Sequence, residues 1–99
     1  ILCSGEIELH KKEMQVKKNG EVLSLSRTEL LLLLYFLENA GQILTKEQIL
    51  TKIWGNDGQF VEENTVNVNI SRLKSKLGTD CISNVRGLGY IWTEKTYKK

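Results

Sequence analysis

Ninety-nine residues are enough for one hydrophobic core and too few for two. With 26% charged and 40% hydrophobic residues and no proline, the composition is that of a folded soluble domain and excludes extended disorder. The net charge of +2 is too small to imply a polyanionic partner, but it is unevenly divided. Residues 1–63 hold 7 Lys/Arg against 10 Asp/Glu, and residues 64–99 hold 7 against 2. A basic stretch on a near-neutral chain suits phosphate binding. The plainer explanation is a solvated tail, since Lys95, Lys98 and Lys99 supply 3 of those 7 cations.

The first elements are strands. Glu6 to His10 alternate polar and apolar, which is the period of a half-buried strand. Met14 to Lys17 alternate again after a polar turn. Asn19-Gly20 is a strong hairpin signal, because both residues tolerate positive φ, and Glu21 to Leu25 return as a strand. These segments predict a small antiparallel sheet with one apolar face and no catalytic groups.

Ser26-Arg27-Thr28-Glu29 has the form of a capping box opening a helix over about residues 27–39. This helix is apolar almost all round from Leu30 to Leu37, so it is expected to be buried on all sides. At eight residues the run falls far short of the ~20 that cross a bilayer. Asn39-Ala40-Gly41 ends it, and Gln42-Ile43-Leu44 reads as a short extended link. Thr45-Lys46-Glu47-Gln48 is a second capping box. It opens a helix over about residues 46–54 with Ile49, Leu50, Ile53 and Trp54 on one side and Gly55 at its end. The loop 56–61 is polar, with glycine and one aromatic. Glu62 and Glu63 then begin a third helix, where acids suit the macrodipole, a structural use rather than a catalytic one.

That third helix carries Val66, Ile70, Leu73 and Leu77 at i, i+4, i+7 and i+11, one stripe of an α-helix, with Gly78 as the stop. Strand-like alternation fails at Leu73 and Leu77. The opposite face bears Asn64, Val68, Ser71, Arg72 and Ser75, flanked by Asn67 and Lys74 on one side and Asn69 and Lys76 on the other. No acid lies there. Asparagine and arginine can bond base edges in a DNA major groove, and an apolar side chain can meet a thymine methyl. An ordinary amphipathic helix with a solvated face would show the same stripe. The C-terminal segment favours the DNA reading. Cys81 to Arg86 read as a strand, Gly87-Leu88-Gly89 as a tight turn, and Tyr90 to Trp92 as the return. A hairpin after such a helix is a wing, and Arg86 at its tip suits the negative potential of a minor groove. The alternative is a hairpin that only covers the core, with Arg86 solvated. The two helices before it form a helix-turn-helix whose turn is longer than usual.

Cys3 and Cys81 form neither a CxxC nor a cluster with His10, so no metal site is expected. They read as reduced cytoplasmic thiols in preference to a disulfide. No signal peptide is visible. The abrupt start at Ile1-Leu2-Cys3 suggests a domain excised from a longer protein.

Taken in order, five segments resemble the winged-helix DNA-binding domain of OmpR/PhoB-type response regulators. Leu25 to Leu30 resembles the opening of its first helix, Leu44 to Leu50 the start of its second, and Ile53-Trp54-Gly55 its close. Thr65-Val66-x-Val68-x-Ile70-x-Arg72-Leu73 resembles its recognition helix and Val85 to Tyr90 its wing. Each is weak alone, and the ordered set is specific. The resemblance covers essentially the whole chain. It implies an α+β winged helix-turn-helix with an N-terminal antiparallel sheet, three helices and a C-terminal hairpin wing, all in one domain over residues 1–99.

It further implies a cytoplasmic transcription regulator of a bacterial two-component system that binds double-stranded DNA and needs no cofactor. A phosphoacceptor receiver domain, absent from this chain, and a sensor kinase would stand upstream. Head-to-tail dimers on direct repeats are common in the family, and the loop 55–61 corresponds to its contact with RNA polymerase. Carried over by position, Asn67, Val68, Arg72 and Arg86 correspond to base-contacting residues. Trp54, Asn64, Thr65, Asn69, Ser71, Lys74 and Asn84 correspond to backbone contacts. The chain departs from the pattern at Asn64 and Ser71, where arginine is frequent, so a lone domain should bind weakly. The run Phe60-Val61-x-x-Asn64-Thr65-Val66-x-Val68-Asn69 resembles the subgroup that answers bacitracin, nisin and other cell-wall-active peptides.

Two other classes of function compete. A winged-helix module for protein contact would expose more apolar surface than Val68 alone. An enzyme would need a nucleophile and base, a metal cluster or a phosphate-cradling glycine loop, and the sequence shows none.

Overall fold

The computed structural model describes residues 1–55 and 63–99. The chain runs through β1 (Leu2–Ser4), β2 (Ile7–His10), β3 (Gln15–Lys18), β4 (Glu21–Leu23), α1 (Arg27–Glu38), β5 (Ile43–Thr45), α2 (Lys46–Trp54), α3 (Glu63–Leu77), β6 (Ile82–Val85), β7 (Gly89–Trp92) and β8 (Tyr97–Lys98). The architecture is the expected α+β winged helix.

One antiparallel sheet has the order β4-β3-β2-β1-β8, and the other has the order β5-β7-β6. Alternation explains β2 and β3: Ile7, Leu9 and Val16 point into the core and are buried. Asn19 and Gly20 take φ of 53° and 84°, the mirror-image turn that matches strand twist.

Two strands went unread in the sequence. Leu2-Cys3-Ser4 is buried throughout and shows no alternation, and β8 has no apolar pattern to show. They pair with each other, Leu2 opposite Lys98 and Cys3 opposite Tyr97. Of the tail lysines, Lys98 therefore lies in a strand of the first sheet. Lys99 Nζ lies 3.8 Å from a Glu8 carboxylate oxygen, so its charge belongs to that sheet rather than to the wing sheet.

α1 begins at its capping box. Ser26 Oγ accepts from the Glu29 N–H at 3.1 Å, and the Ser26 N–H donates to Glu29 Oε1 at 2.8 Å. It packs against β1, β7, α2 and α3, burying Leu30, Leu32, Leu33, Phe36 and Leu37. Leu31, Leu34 and Tyr35 are only half-buried, so the helix is not enclosed on every side as expected. Lys52 Nζ stands 5.9 Å from the Tyr35 ring centroid and covers part of that side.

One buried polar chain joins the two sheets. The fully buried Trp92 donates its indole N–H to Ser4 Oγ at 2.8 Å, and Ser4 Oγ donates to the Lys95 carbonyl at 2.9 Å. An indole N–H left without a partner in a core costs about 1–3 kcal/mol. Ser4→Ala is therefore expected to lower unfolding free energy by about 1–2 kcal/mol in urea titrations, with the m-value unchanged. A neutral result would mean that water reaches Trp92.

Candidate nucleic-acid interface

The interface is built on α3. Val66, Ile70, Leu73 and Leu77 are all 1% exposed or less, and each such burial contributes about 1.5–3 kcal/mol of transfer free energy. That stripe fixes the helix rotation and turns Asn64, Val68, Ser71, Arg72 and Ser75 to solvent. Val68 is 36% exposed at the centre of this face. Thr65, Asn67, Asn69 and Lys74 are half-buried on its flanks. Asn69 Nδ2 donates to the Thr65 carbonyl at 2.8 Å, which turns that amide back onto its own helix. Asn67 Oδ1 accepts the Tyr90 hydroxyl from β7 at 2.6 Å.

Two side chains outside α3 hold its C-terminal end. Lys18 Nζ, from β3, donates to the Leu77 carbonyl at 2.8 Å, placing a cation where the helix dipole favours one. Glu29 Oε1, from α1, meets Lys76 Nζ at 2.7 Å. Lys76 therefore leaves the outer face and ties the last turn of α3 to the first turn of α1. Burial alone would raise the Glu29 pKa. The bond from Lys76, the Ser26 N–H and the Lys76 charge outweigh it, and the carboxyl sits below its ordinary 4.5.

A carboxylate with a lowered folded pKa contributes stability that is present above the unfolded value and lost as pH falls through the folded one. The stability gap between the native chain and Glu29→Gln is expected to narrow steadily below pH 4.5. Urea midpoints measured from pH 7 down to acid would show it. A gap that stayed constant would remove the ion pair from the account.

The wing is β6 and β7. The Leu88 N–H donates to the Val85 carbonyl at 3.0 Å, so Arg86 and Gly87 form the tip. Gly89, expected in the turn, is instead the first residue of β7, paired with Val85 on one side and Thr45 on the other. The link Gln42-Ile43-Leu44 is likewise a correction: Ile43–Thr45 forms β5, the third strand of the wing sheet. It ends at Thr45, the N-cap of α2. β5 thus couples the wing to the helix-turn-helix, and a cleft between them is lined by Thr45, Glu47, Asn84, Arg86 and Leu88.

Asn84 and Arg86 are exposed, and Trp54 at the end of α2 is half-buried against the core. Arg72, Lys74 and Arg86 have no ion pair among the described residues. The helix face and the wing tip therefore carry cations that form no ion pair with a described acid, although Glu47 lines the same cleft as Arg86. Loop residues 56–61, the position of Glu62 and the length of the helix-turn-helix turn lie outside the described residues.

Neither cysteine bears on this surface. Both are free and buried. Burial pushes the Cys81 thiol up, the Thr79 hydroxyl at 3.0 Å pulls it slightly back, and Glu94, Asp80 and Glu6 raise it further. It stays protonated at neutral pH and is a poor nucleophile. No helix among the described residues is long and apolar enough to cross a membrane.

A third helix with an acid-free outward face, beside a hairpin with an arginine at its tip, defines a winged helix-turn-helix domain. The sequence pattern described as "Transcriptional regulatory protein, C terminal" matches residues 20–92, and the chain belongs to that family, the effector domains of OmpR/PhoB-type regulators. These are DNA-binding regulators of transcription and not enzymes.

Among curated relatives, the response regulator ArlR of Staphylococcus saprophyticus is 43% identical over 89 residues, 86% of this chain and 40% of ArlR. The chain spans about 40% of the length of the curated relatives it matches. Among solved structures, the DNA-binding domain of Klebsiella pneumoniae RstA in complex with the RstA box superposes with a TM-score of 0.82 at 28% identity, covering 92% of this chain and 94% of that one. The C-terminal domain of the nisin resistance regulator NsrR, a lantibiotic response regulator, gives 0.73 at 37% identity, covering 90% and 93%.

Proposed function

We propose that this domain reads duplex DNA by placing α3 in the major groove and the wing tip in the adjacent minor groove. The observation that carries the reading is the outward face of α3. It is acid-free, holds Arg72 with Lys74 beside it, and is tied through Asn67 and Tyr90 to the wing sheet whose tip carries Arg86. Asn67, Val68, Arg72 and Arg86 are assigned to bases. Trp54, Asn64, Thr65, Asn69, Ser71, Lys74 and Asn84 are assigned to the sugar-phosphate backbone. The RstA complex with its DNA box supports this docking by likeness of fold. A protein-contact role finds less support, since Val68 and Leu88 are the only exposed large hydrophobics on α3 and the wing among the described residues.

Residues 1–99 then act as one effector domain of a cytoplasmic two-component regulator. A receiver domain and its sensor kinase would control it, and head-to-tail pairs would sit on direct repeats. The segment 55–61 is assigned to RNA polymerase. Likeness to the NsrR domain supports placement in the peptide-antibiotic subgroup.

The test is selection from a random duplex pool, with fluorescence anisotropy of the winners at two salt concentrations. Enrichment of a short direct repeat, with affinity falling steeply as salt rises, is the expected result. Salt-sensitive binding without a motif would reject sequence reading by this domain. Absence of binding at low salt would reject DNA as its partner.

A further inference from the structure

The hydrogen bond between Tyr90 and Asn67 constrains what the recognition helix can read. A free asparagine amide offers an acceptor and two donors, and in a major groove it can take adenine by both at once. Here one of the acceptor's two lone pairs is already taken. Asn67 Oδ1 receives the Tyr90 hydroxyl at 2.6 Å, across 23 positions of sequence and from the wing sheet. The Tyr90 ring is buried, 7% exposed, and its strand is held on both sides by β5 and β6, so the hydroxyl is fixed in place. Burial also raises the phenol pKa, so the group stays a donor at any physiological pH. Asn67 itself is half-exposed at the edge of the outward face.

We propose that Tyr90 is a positioning residue for sequence specificity: it locks the Asn67 carboxamide with Oδ1 towards the wing, leaving the Nδ2 donors for DNA. The inference rests on the proposed DNA-reading function and adds a chemical selectivity to it. An amide held this way favours base edges that present acceptors in the major groove: guanine O6 and N7, thymine O4 and adenine N7. It disfavours cytosine, whose exposed group there is the N4 donor. The two-bond reading of adenine is restricted, because Tyr90 already occupies one of the two Oδ1 lone pairs that could accept from adenine N6.

Tyr90→Phe keeps the buried ring and removes only the hydroxyl, so the fold is expected to survive, as circular dichroism and a thermal melt would verify. Two measurements then test the lock. In free protein, the Asn67 side-chain amide signals in a 1H–15N spectrum should move in Tyr90→Phe and broaden as the amide regains its freedom. In duplex selection, the native domain should exclude cytosine at one position, by roughly tenfold. Tyr90→Phe should relax that position alone. Asn67→Asp, an acceptor in place of the donor, should invert it towards cytosine.

Unmoved amide signals would overturn the lock whatever the DNA result. Moved signals with an unchanged base preference in both variants would overturn its role in specificity. A uniform loss at all positions would reassign Tyr90 to simple structural support. If the native domain selected no motif, the DNA-reading function would fall first, and the specificity role with it, while the spectra would still report whether the bond exists.

Discussion

Gly89→Ala is expected to cost about 3 kcal/mol of stability or more, lowering the melting temperature by at least about 12 °C. The reason is a close approach of two strands. A Cβ added at Gly89 would lie 2.8 Å from Thr45 Cα and 2.9 Å from the Leu44 carbonyl carbon, and closer still to the carbonyl oxygen. These are backbone atoms, so no side chain can rotate away to make room. The backbone of Gly89 also has φ of 157°, at the margin of what other residues adopt. Relief would need β5 to move off β7.

That movement would not stay local. Thr45 ends β5 and caps α2: its hydroxyl accepts from the Gln48 N–H at 3.0 Å and its own N–H donates to Gln48 Oε1 at 2.9 Å. Displacing it disturbs the start of the helix-turn-helix. DNA affinity should therefore fall along with stability, even well below the melting temperature. Differential scanning calorimetry with anisotropy on the selected duplex would check both. A loss under about 1 kcal/mol would show that β5 is free to slide, and that the wing is not rigidly coupled to α2.

Gly89 also shows how far the sequence could be read. Local signals were legible. Both capping boxes form with both of their bonds, the Asn19-Gly20 turn takes its two positive φ values, and the four-residue stripe of α3 is buried. Each depends on residues a few positions apart, where spacing determines geometry. Distant pairings were not legible. β5 looked like a link because three residues carry no period. Gly89 looked like part of a turn because nothing nearby reveals that β5 returns beside it. β1 and β8 are short strands from opposite ends of the chain; β1 is a strand because it pairs with β2 and β8, and β8 because it pairs with β1. The candidate site shows the same division. The outward face of α3 follows from its stripe, whereas the Tyr90 bond to Asn67 and the withdrawal of Lys76 towards Glu29 depend on contacts from elsewhere in the fold.

Arg72→Ala is expected to weaken binding to the selected site by about 1–3 kcal/mol and to relax preference at one base pair. Arg72 is exposed on the outward face, one turn from Val68, and no described acid holds its guanidinium. A planar fork of donors suits the two acceptors of guanine. Lys74 differs in position and chemistry. Its stem is half-buried on the flank of the helix, and a single ammonium on a flexible chain meets a phosphate as a point charge. Lys74→Ala should therefore weaken specific and random duplexes alike and flatten the slope of log K against log salt by about 1. Measured together on both duplexes over a salt series, the two variants separate base reading from charge. Equal effects on both duplexes from both changes would mean that Arg72 serves only as another cation. Base reading would then have to rest on Asn67, Val68 and the wing. For Asn67 that is a demanding role, because Tyr90 already holds its carboxamide in place and takes one of the two lone pairs of its oxygen.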